Sequence, residues 1–202
     1  MVHFSYKKLV IASHNEGKVK EITDLVLPLG FQIITARQLN LPEPIETGTT
    51  FEENSRIKAK EIAAASQLPS LADDSGLVIP ALNGDPGVYS ARWAEIAPGK
   101  RDFNFAMDKI GKLLSFHSGI PASMVCVLSL ALPDGNCHSF SGEVFGTLQF
   151  PPRGSHGFGY DPIFQPDGFE MTFGEIDPTF KHSISHRSHA FALFLKFLQN
   201  GE

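Results

Sequence analysis

The residues of this chain that could do chemistry sit in a few short stretches. "LADDSGL", Leu71 to Leu77, sets two carboxylates side by side. Asp, Ser and Gly are residues that turns use, so a solvated turn would look the same. If the segment is extended, Asp73 and Asp74 point to opposite faces, and at most one faces a site. Another acid, Glu46, stands in the Pro-bounded loop "LPEPIETG". Alone it reads as a surface glutamate. Glu46 and one Asp from separate loops would suit Mg²⁺, which takes few protein oxygens and shares the rest with water and phosphate.

"SHNEGK", Ser13 to Lys18, lies where a strand passes through a loop into a helix. Free backbone N–H groups and the positive end of the helix dipole suit a phosphate there. Ser13 offers a hydroxyl, Asn15 an amide and Lys18 a charge. The spacing is not that of a P-loop, and a capped helix with a surface lysine would read alike. In "GFGYDP", Gly157 to Pro162, glycines flank Phe158 and Tyr160. Aromatic faces left exposed by such glycines could stack on a planar base, with Asp161 accepting hydrogen bonds; a turn filling a core edge is the plainer alternative. In "KHSISHRSHAF", Lys181, His182, His186, Arg187 and His189 crowd into nine residues. Read as the start of the last helix, these cations oppose its dipole, and a bound polyanion would compensate. Zinc is disfavoured, because the three histidines have no carboxylate or Cys partner close in sequence.

The elements that must position these residues read as follows. "KLVIAS" is a short buried strand. Val19, Ile22, Leu25 and Val26 then keep helical spacing until Pro28 and Gly30 stop it. "FQIITA" is a second strand. The capping box Thr50-x-x-Glu53 opens a helix running to about Gln67, which places Asn54 and Lys58 on one face. "LPSLADDSGLVIPAL" reads as strand, turn and strand. Phe103 to Phe116 is a helix. "ASMVCVLSLAL" and "CHSFSGEVFGTLQF" pair through the turn "PDGN", and "RGSHGFGYDPIF" is loop. Ala190, Leu193, Phe194, Phe197 and Leu198 mark the final helix. The order predicts an α/β or α+β domain, a mixed sheet flanked by helices, in which the hairpin region forms a second lobe.

With 202 residues the chain is one domain, or one domain with two lobes. A net charge of −5 argues against general nucleic-acid binding. Two cysteines, Cys126 and Cys137, have no metal-ligand spacing and read as buried thiols in a reducing compartment. Lys7 and Lys8 lead into no apolar signal region, and no run is long enough to span a membrane. A cytoplasmic protein is expected.

Taken in order, "SHNEGKVKEI", "ETGTTFEENSRIKAK", "LADDSGL", "DPGVYSARWA", "GFGYDPIF" and "KHSISHRSHA" resemble the inosine/xanthosine triphosphate pyrophosphatases, enzymes that hydrolyse non-canonical purine nucleoside triphosphates. The match runs from Leu9 to the last helix. The resemblance implies an α/β fold with an elongated mixed sheet, two lobes and the site in the cleft between them. It also implies a homodimer, and a reaction that turns NTP and water into NMP and pyrophosphate with Mg²⁺. By resemblance, Ser13, His14, Asn15, Glu16, Gly17 and Lys18 form the triphosphate loop. Glu46 and Asp74 are the metal-binding acids, and Asp74 is also the catalytic base. Lys58 and Ser75 touch substrate. Phe158, Gly159, Tyr160 and Asp161 form the base-binding loop, and Lys181, Ser185, His186 and Arg187 the last recognition segment. Two positions depart from the family pattern. Pro80 stands where an acid is usual, and "DPTF" replaces a charged helical approach to Lys181, where Pro178 predicts a turn.

On this reading water attacks the α-phosphorus, Asp74 orients or deprotonates it, and Lys18, Lys58, Lys181 and Arg187 balance the substrate's charge. Donors at the purine 6-oxygen, from Arg187, His186 or backbone N–H groups, would select hypoxanthine or xanthine over adenine. Three rivals are weighed against it. A Maf-type pyrophosphatase for modified pyrimidine nucleotides would carry a Ser/Pro/Arg-rich first loop, absent here. A non-catalytic nucleotide sensor has Pro80 as its only foothold. A nucleic-acid module lacks a basic stripe.

Overall fold

The computed structural model describes residues 6–200. The elements, in chain order, are β1 (Lys8–Ile11), α1 (Glu16–Val26), β2 (Gln32–Thr35), α2 (Phe51–Ser66), β3 (Ser70–Val78), α3 (Ser90–Trp93), β4 (Glu95–Ala97), β5 (Lys100–Arg101), α4 (Phe103–Leu113), β6 (Ile120–Ala131), β7 (Cys137–Leu148), β8 (Phe164–Pro166), α5 (Pro178–Ile184) and α6 (His186–Asn200). Six strands make one mixed sheet in the order β2-β1-β3-β6-β7-β8, while β4 and β5 pair separately. β1 runs parallel to both β2 and β3, and β7 antiparallel to β8. The expected mixed α/β architecture is the one observed.

The chain divides into two compact units. The first holds the residues up to Asp74, Cys126–Gly142 and the chain from Arg187 onward; the second holds Ser75–Val125 and Glu143–His186. In the first unit the period-2 alternation of the strands builds two cores. Leu9, Ile11, Leu71 and Leu128 pack with Ile22 and Val26 of α1 and Ala190 and Phe194 of α6. Val10, Ala12, Ala72 and Ala131 turn the other way, onto Ala59, Ile62 and Ala63 of α2. The second unit has its own core, in which Leu77, Ile79, Ile110, Phe164 and Phe173 meet.

Capping chemistry fixes where the two site-bearing helices of the first unit begin. Asn15 caps α1, its side chain accepting from Lys18 N–H. Thr50 and Glu53 complete a reciprocal capping box on α2, a device worth about 1 kcal/mol. Three expectations are corrected. β3 runs unbroken from Ser70 to Val78, so Asp73-Asp74-Ser75-Gly76 is strand and not turn. Pairing with a neighbouring strand overrides the weak local preference of those residues. Pro178 makes no turn; it opens α5 at a position where its missing N–H costs nothing, with Asp177 capping Thr179 and Phe180. Lys181 and His182 therefore lie in the last turn of α5, where the dipole favours cations. The third concerns the thiols: Cys126 is buried, but Cys137 is only half-buried.

Candidate active site

β3 carries the adjacent carboxylates, and strand alternation decides what each meets. Asp73 follows Leu71 on the side of α1 and α6. Its Oδ1 lies 2.5 Å from Lys18 Nζ. Its Oδ2 accepts from Arg187 Nε at 3.1 Å and Nη2 at 3.0 Å, and from the Cys126 thiol at 3.0 Å. Arg187 pairs through Nη1 with Glu21 of α1. Asp73 and Arg187 are 1% and 2% exposed. Burial alone would raise the Asp73 carboxyl, but Arg187 and Lys18 outweigh it and hold the group well below the usual carboxylate range. Burial, reinforced by the Asp73 charge, pushes the Cys126 thiol far up, so it remains a donor.

Asp74 follows Ala72 on the side of α2. Lys58 Nζ stands 2.9 Å from Asp74 Oδ1 and 2.5 Å from Glu46 Oε1. One buried ammonium thus gathers the two acids that the family resemblance pairs as metal ligands. Burial raises the Asp74 carboxyl, with Lys58 and Lys18 opposing and Glu46 adding to the rise. For Lys58, burial works against the charge, yet Asp74 and Glu46 overcome it and raise the group. Asp74 Oδ2 is buried with no hydrogen-bond partner among the described residues. Leaving such an oxygen unpaired costs about 1–3 kcal/mol, a cost that a bound ligand or water removes.

The loop from Ser13 to Lys18 has its own internal bonds. Ser13 Oγ accepts from Asn15 N–H at 3.2 Å, and Asn15 Oδ1 from Lys18 N–H at 3.2 Å. His14 Nε2 lies 3.0 Å from the Leu41 carbonyl oxygen. Glu16 forms an exposed pair with Arg37 at 3.2 Å. Gly17 sits in the first turn of α1.

The second unit assembles the other candidate residues. Lys181 Nζ lies 2.6 Å from Asp161 Oδ2, both buried, and stands over the Phe158 ring at 5.3 Å from its centre. Asp161 Oδ2 also accepts from Phe158 N–H at 2.8 Å. Gly157 makes room for this: at φ +71°, a Cβ there would come within 2.0 Å of that carboxylate oxygen. Phe158 is half-buried, and Gly159 follows at φ +69°. Tyr160 corrects the sequence reading, since its ring is not exposed for stacking. It lies in the core edge-to-face with Phe103, and its hydroxyl donates to the Ser90 carbonyl at 2.8 Å. Ser185 caps the end of α5 and His186 begins α6, both buried. Ser75 continues β3 into this unit, and Pro80 opens a single 3₁₀ turn after it.

Glu21 has no place in the sequence reading, and Cys126 enters it only as a buried thiol. Glu21 lies three residues from Lys18 on α1, a spacing that puts both on one face, but nothing local points to Arg187.

The sequence model of the Ham1 family matches residues 9–197. The chain belongs to the Ham1 family. Curated relatives at about half identity bear one name. A dITP/XTP pyrophosphatase of Agrobacterium fabrum is 52% identical over 203 residues, covering 94% of this chain and 95% of that one. A dITP/XTP pyrophosphatase of Rhizobium meliloti is 52% identical over 201 residues, covering 93% and 94%. Among solved structures, the Ham1 protein of Staphylococcus aureus is similar at a TM-score of 0.84 and 35% identity, covering 97% of this chain and 100% of that chain. A HAM1 protein from Coxiella burnetii gives 0.85 and 37%, covering 95% and 98%.

The donor set of this Ham1 protein fits a hard divalent cation. Two carboxylates meet at one ammonium, and one of them keeps a buried oxygen unpartnered. Among the described residues no group of three or more His, Cys, Asp or Glu side chains is set to hold a metal ion. Carboxylate oxygens are the donors that a hard ion such as Mg²⁺ takes, with water and substrate completing its shell. None of the described helices is long and apolar enough to cross a membrane.

Proposed function

We propose that this protein is a nucleoside triphosphate pyrophosphohydrolase. It hydrolyses non-canonical purine triphosphates (ITP, dITP and XTP) to the monophosphate and pyrophosphate, removing them from the nucleotide pool of the cytoplasm, and works as a homodimer. The relatives named dITP/XTP pyrophosphatase support the substrate class. The observation that carries the chemistry is Asp74. It is buried, bonded to Lys58 through one oxygen and without a partner on the other.

Glu46 and Asp74 would hold Mg²⁺, which when bound neutralises phosphate oxygens and polarises the α-phosphorus. Asp74 Oδ2 orients the attacking water and takes its proton; burial keeps that carboxyl a better base than an exposed one. Lys58 holds both acids in place while they are ionised. Ser13, Asn15 and Lys18, at the start of α1, receive the triphosphate, and Lys18 exchanges Asp73 for a phosphate oxygen as it does so. Phe158, Asp161, Lys181, Ser185 and His186 take the base. A donor there to the purine 6-oxygen is left unpaired by adenine, which favours hypoxanthine and xanthine. Arg187, whose guanidinium is committed to Asp73 and Glu21, positions Asp73 and hence Lys18.

The test is product analysis across a nucleotide panel with and without Mg²⁺. Pyrophosphate from dITP, ITP and XTP, Mg²⁺-dependent and far exceeding that from ATP, is expected. Orthophosphate as the product, or equal kcat/KM for ITP and ATP, would overturn the reading. Tight ITP binding without turnover would mark a sensor instead.

A further inference from the structure

The loop that carries Glu46 is tied to α2 by Asn54. Asn54 lies four residues before Lys58, so the two share one face of the helix. It is fully buried. Its Oδ1 accepts a hydrogen bond from the Gly48 backbone N–H at 2.8 Å. A backbone N–H can only donate, so this contact fixes which arm of the carboxamide is oxygen. The other arm, Nδ2, is buried with no hydrogen-bond partner among the described residues. Buried amide nitrogens are normally paired, and an exception at the edge of a site points to a ligand oxygen.

Gly48 shows how closely the loop is laid on the helix. A Cβ there would stand 2.6 Å from Glu53 Cβ and 2.7 Å from Asn54 Oδ1. Two residues earlier, Glu46 reaches Lys58 at 2.5 Å. The loop is thus pinned to one helix face at two points, Gly48 on Asn54 and Glu46 on Lys58. The unpaired amide of Asn54 belongs to the first pin, and Asp74 Oδ2, the unpaired carboxylate oxygen, belongs to the residue that shares Lys58 with the second.

We propose that Asn54 is a substrate-binding residue of this site: Oδ1 holds the Glu46 loop through Gly48, and Nδ2 donates to a phosphate oxygen of the bound nucleotide. The inference rests on the pyrophosphohydrolase reading above. A neutral donor suits the position, because Lys58 and its two carboxylates already pair with one another. The amide adds a directed bond to a phosphate oxygen without adding a further charge beside them.

Two variants separate the arms. Asn54→Asp keeps an acceptor for Gly48 and loses the donor; Asn54→Leu loses both and adds no charge. The readouts are kinetics with dITP, calorimetric Kd for inorganic pyrophosphate with Mg²⁺, and thermal melting. Both variants are expected to raise the KM for dITP and the Kd for pyrophosphate about tenfold, the scale of one lost hydrogen bond to a charged group. Asn54→Asp should keep kcat within about threefold, while Asn54→Leu, with Glu46 loosened, should lose about tenfold in kcat as well. A folded variant that binds pyrophosphate within twofold of wild type overturns the inference. If Asn54→Leu does not fold, Asn54→Ala, which adds no charge, decides on the same criterion. Wild-type protein that releases no pyrophosphate from dITP would defeat the proposed function, while the pyrophosphate Kd values still judge Asn54.

Discussion

The two sides of β3 in the first unit treat adjacent carboxylates in opposite ways. On the side of α1 and α6, Asp73 is saturated: Lys18, both contacts of Arg187 and the Cys126 thiol all converge on it. Its charge is stabilised, and it is locked. On the side of α2, Asp74 shares a single ammonium with Glu46 and keeps one buried oxygen unpaired. Its charge is left partly unfavourable, and it is poised. A carboxylate held by several donors has little to offer a water molecule; one held by a single bond has more. On the mechanism proposed above, two residues that differ by one position in sequence become a support and a reagent.

The largest expected break in this comparison is Asp74→Asn. Turnover of dITP should fall by about 10²–10⁴, the range of a lost general base, while the melting temperature stays close to wild type. Near-normal kcat would remove Asp74 from the chemistry. Asp73→Asn should reverse the pattern. It leaves the buried Arg187 and the half-buried Lys18 against a neutral amide and should cost about 3–5 kcal/mol in urea unfolding, with a smaller effect on kcat at temperatures where the variant is folded. Equal losses of turnover in both variants would erase the distinction between support and reagent.

The pH dependence sharpens the contrast because the two groups shift oppositely. The Asp73 carboxyl is depressed by folding, so its stabilisation is full above the unfolded value of about 4 and is lost as pH falls through the folded value. The Asp74 carboxyl is raised, so ionising it costs stability as pH climbs from about 4 through its folded value. Urea unfolding from pH 3 to 7 should show Asp73→Asn falling behind wild type up to about pH 5 and keeping that deficit above it, and Asp74→Asn gaining on wild type as pH climbs from about 4. Parallel curves would contradict both assignments. The smallest effect is at the edge of the locked side. Cys126→Ala removes one weak donor among several to Asp73 and should cost about 1 kcal/mol with kcat unchanged.

Much of this was legible from local chemistry. The caps at Asn15 and Thr50, the last helix and the "PDGN" turn follow from short-range rules that hold whatever else folds around them. What escaped depends on partners distant in sequence. The Arg187–Asp73 pair spans 114 positions, so Arg187 read as a substrate donor although the fold buries it in an ion pair. "DDSG" read as a turn because neither its pairing strand nor the cations waiting on each side are adjacent to it. Tyr160 read as exposed because its flanking glycines are visible in sequence, while Phe103 and Ser90, which enclose it, are not.

The ion pairs of the first unit have a consequence for how a substrate arrives. Lys18, Lys58 and Arg187 stand against Glu21, Glu46, Asp73 and Asp74, so cations do not outnumber carboxylates. Such a surface throws little attractive potential into solution, and a polyanion is not steered toward it from beyond about one Debye length. Encounter with a nucleoside triphosphate should therefore be governed by diffusion and collision geometry. Stopped-flow association rates should change little between low and physiological ionic strength.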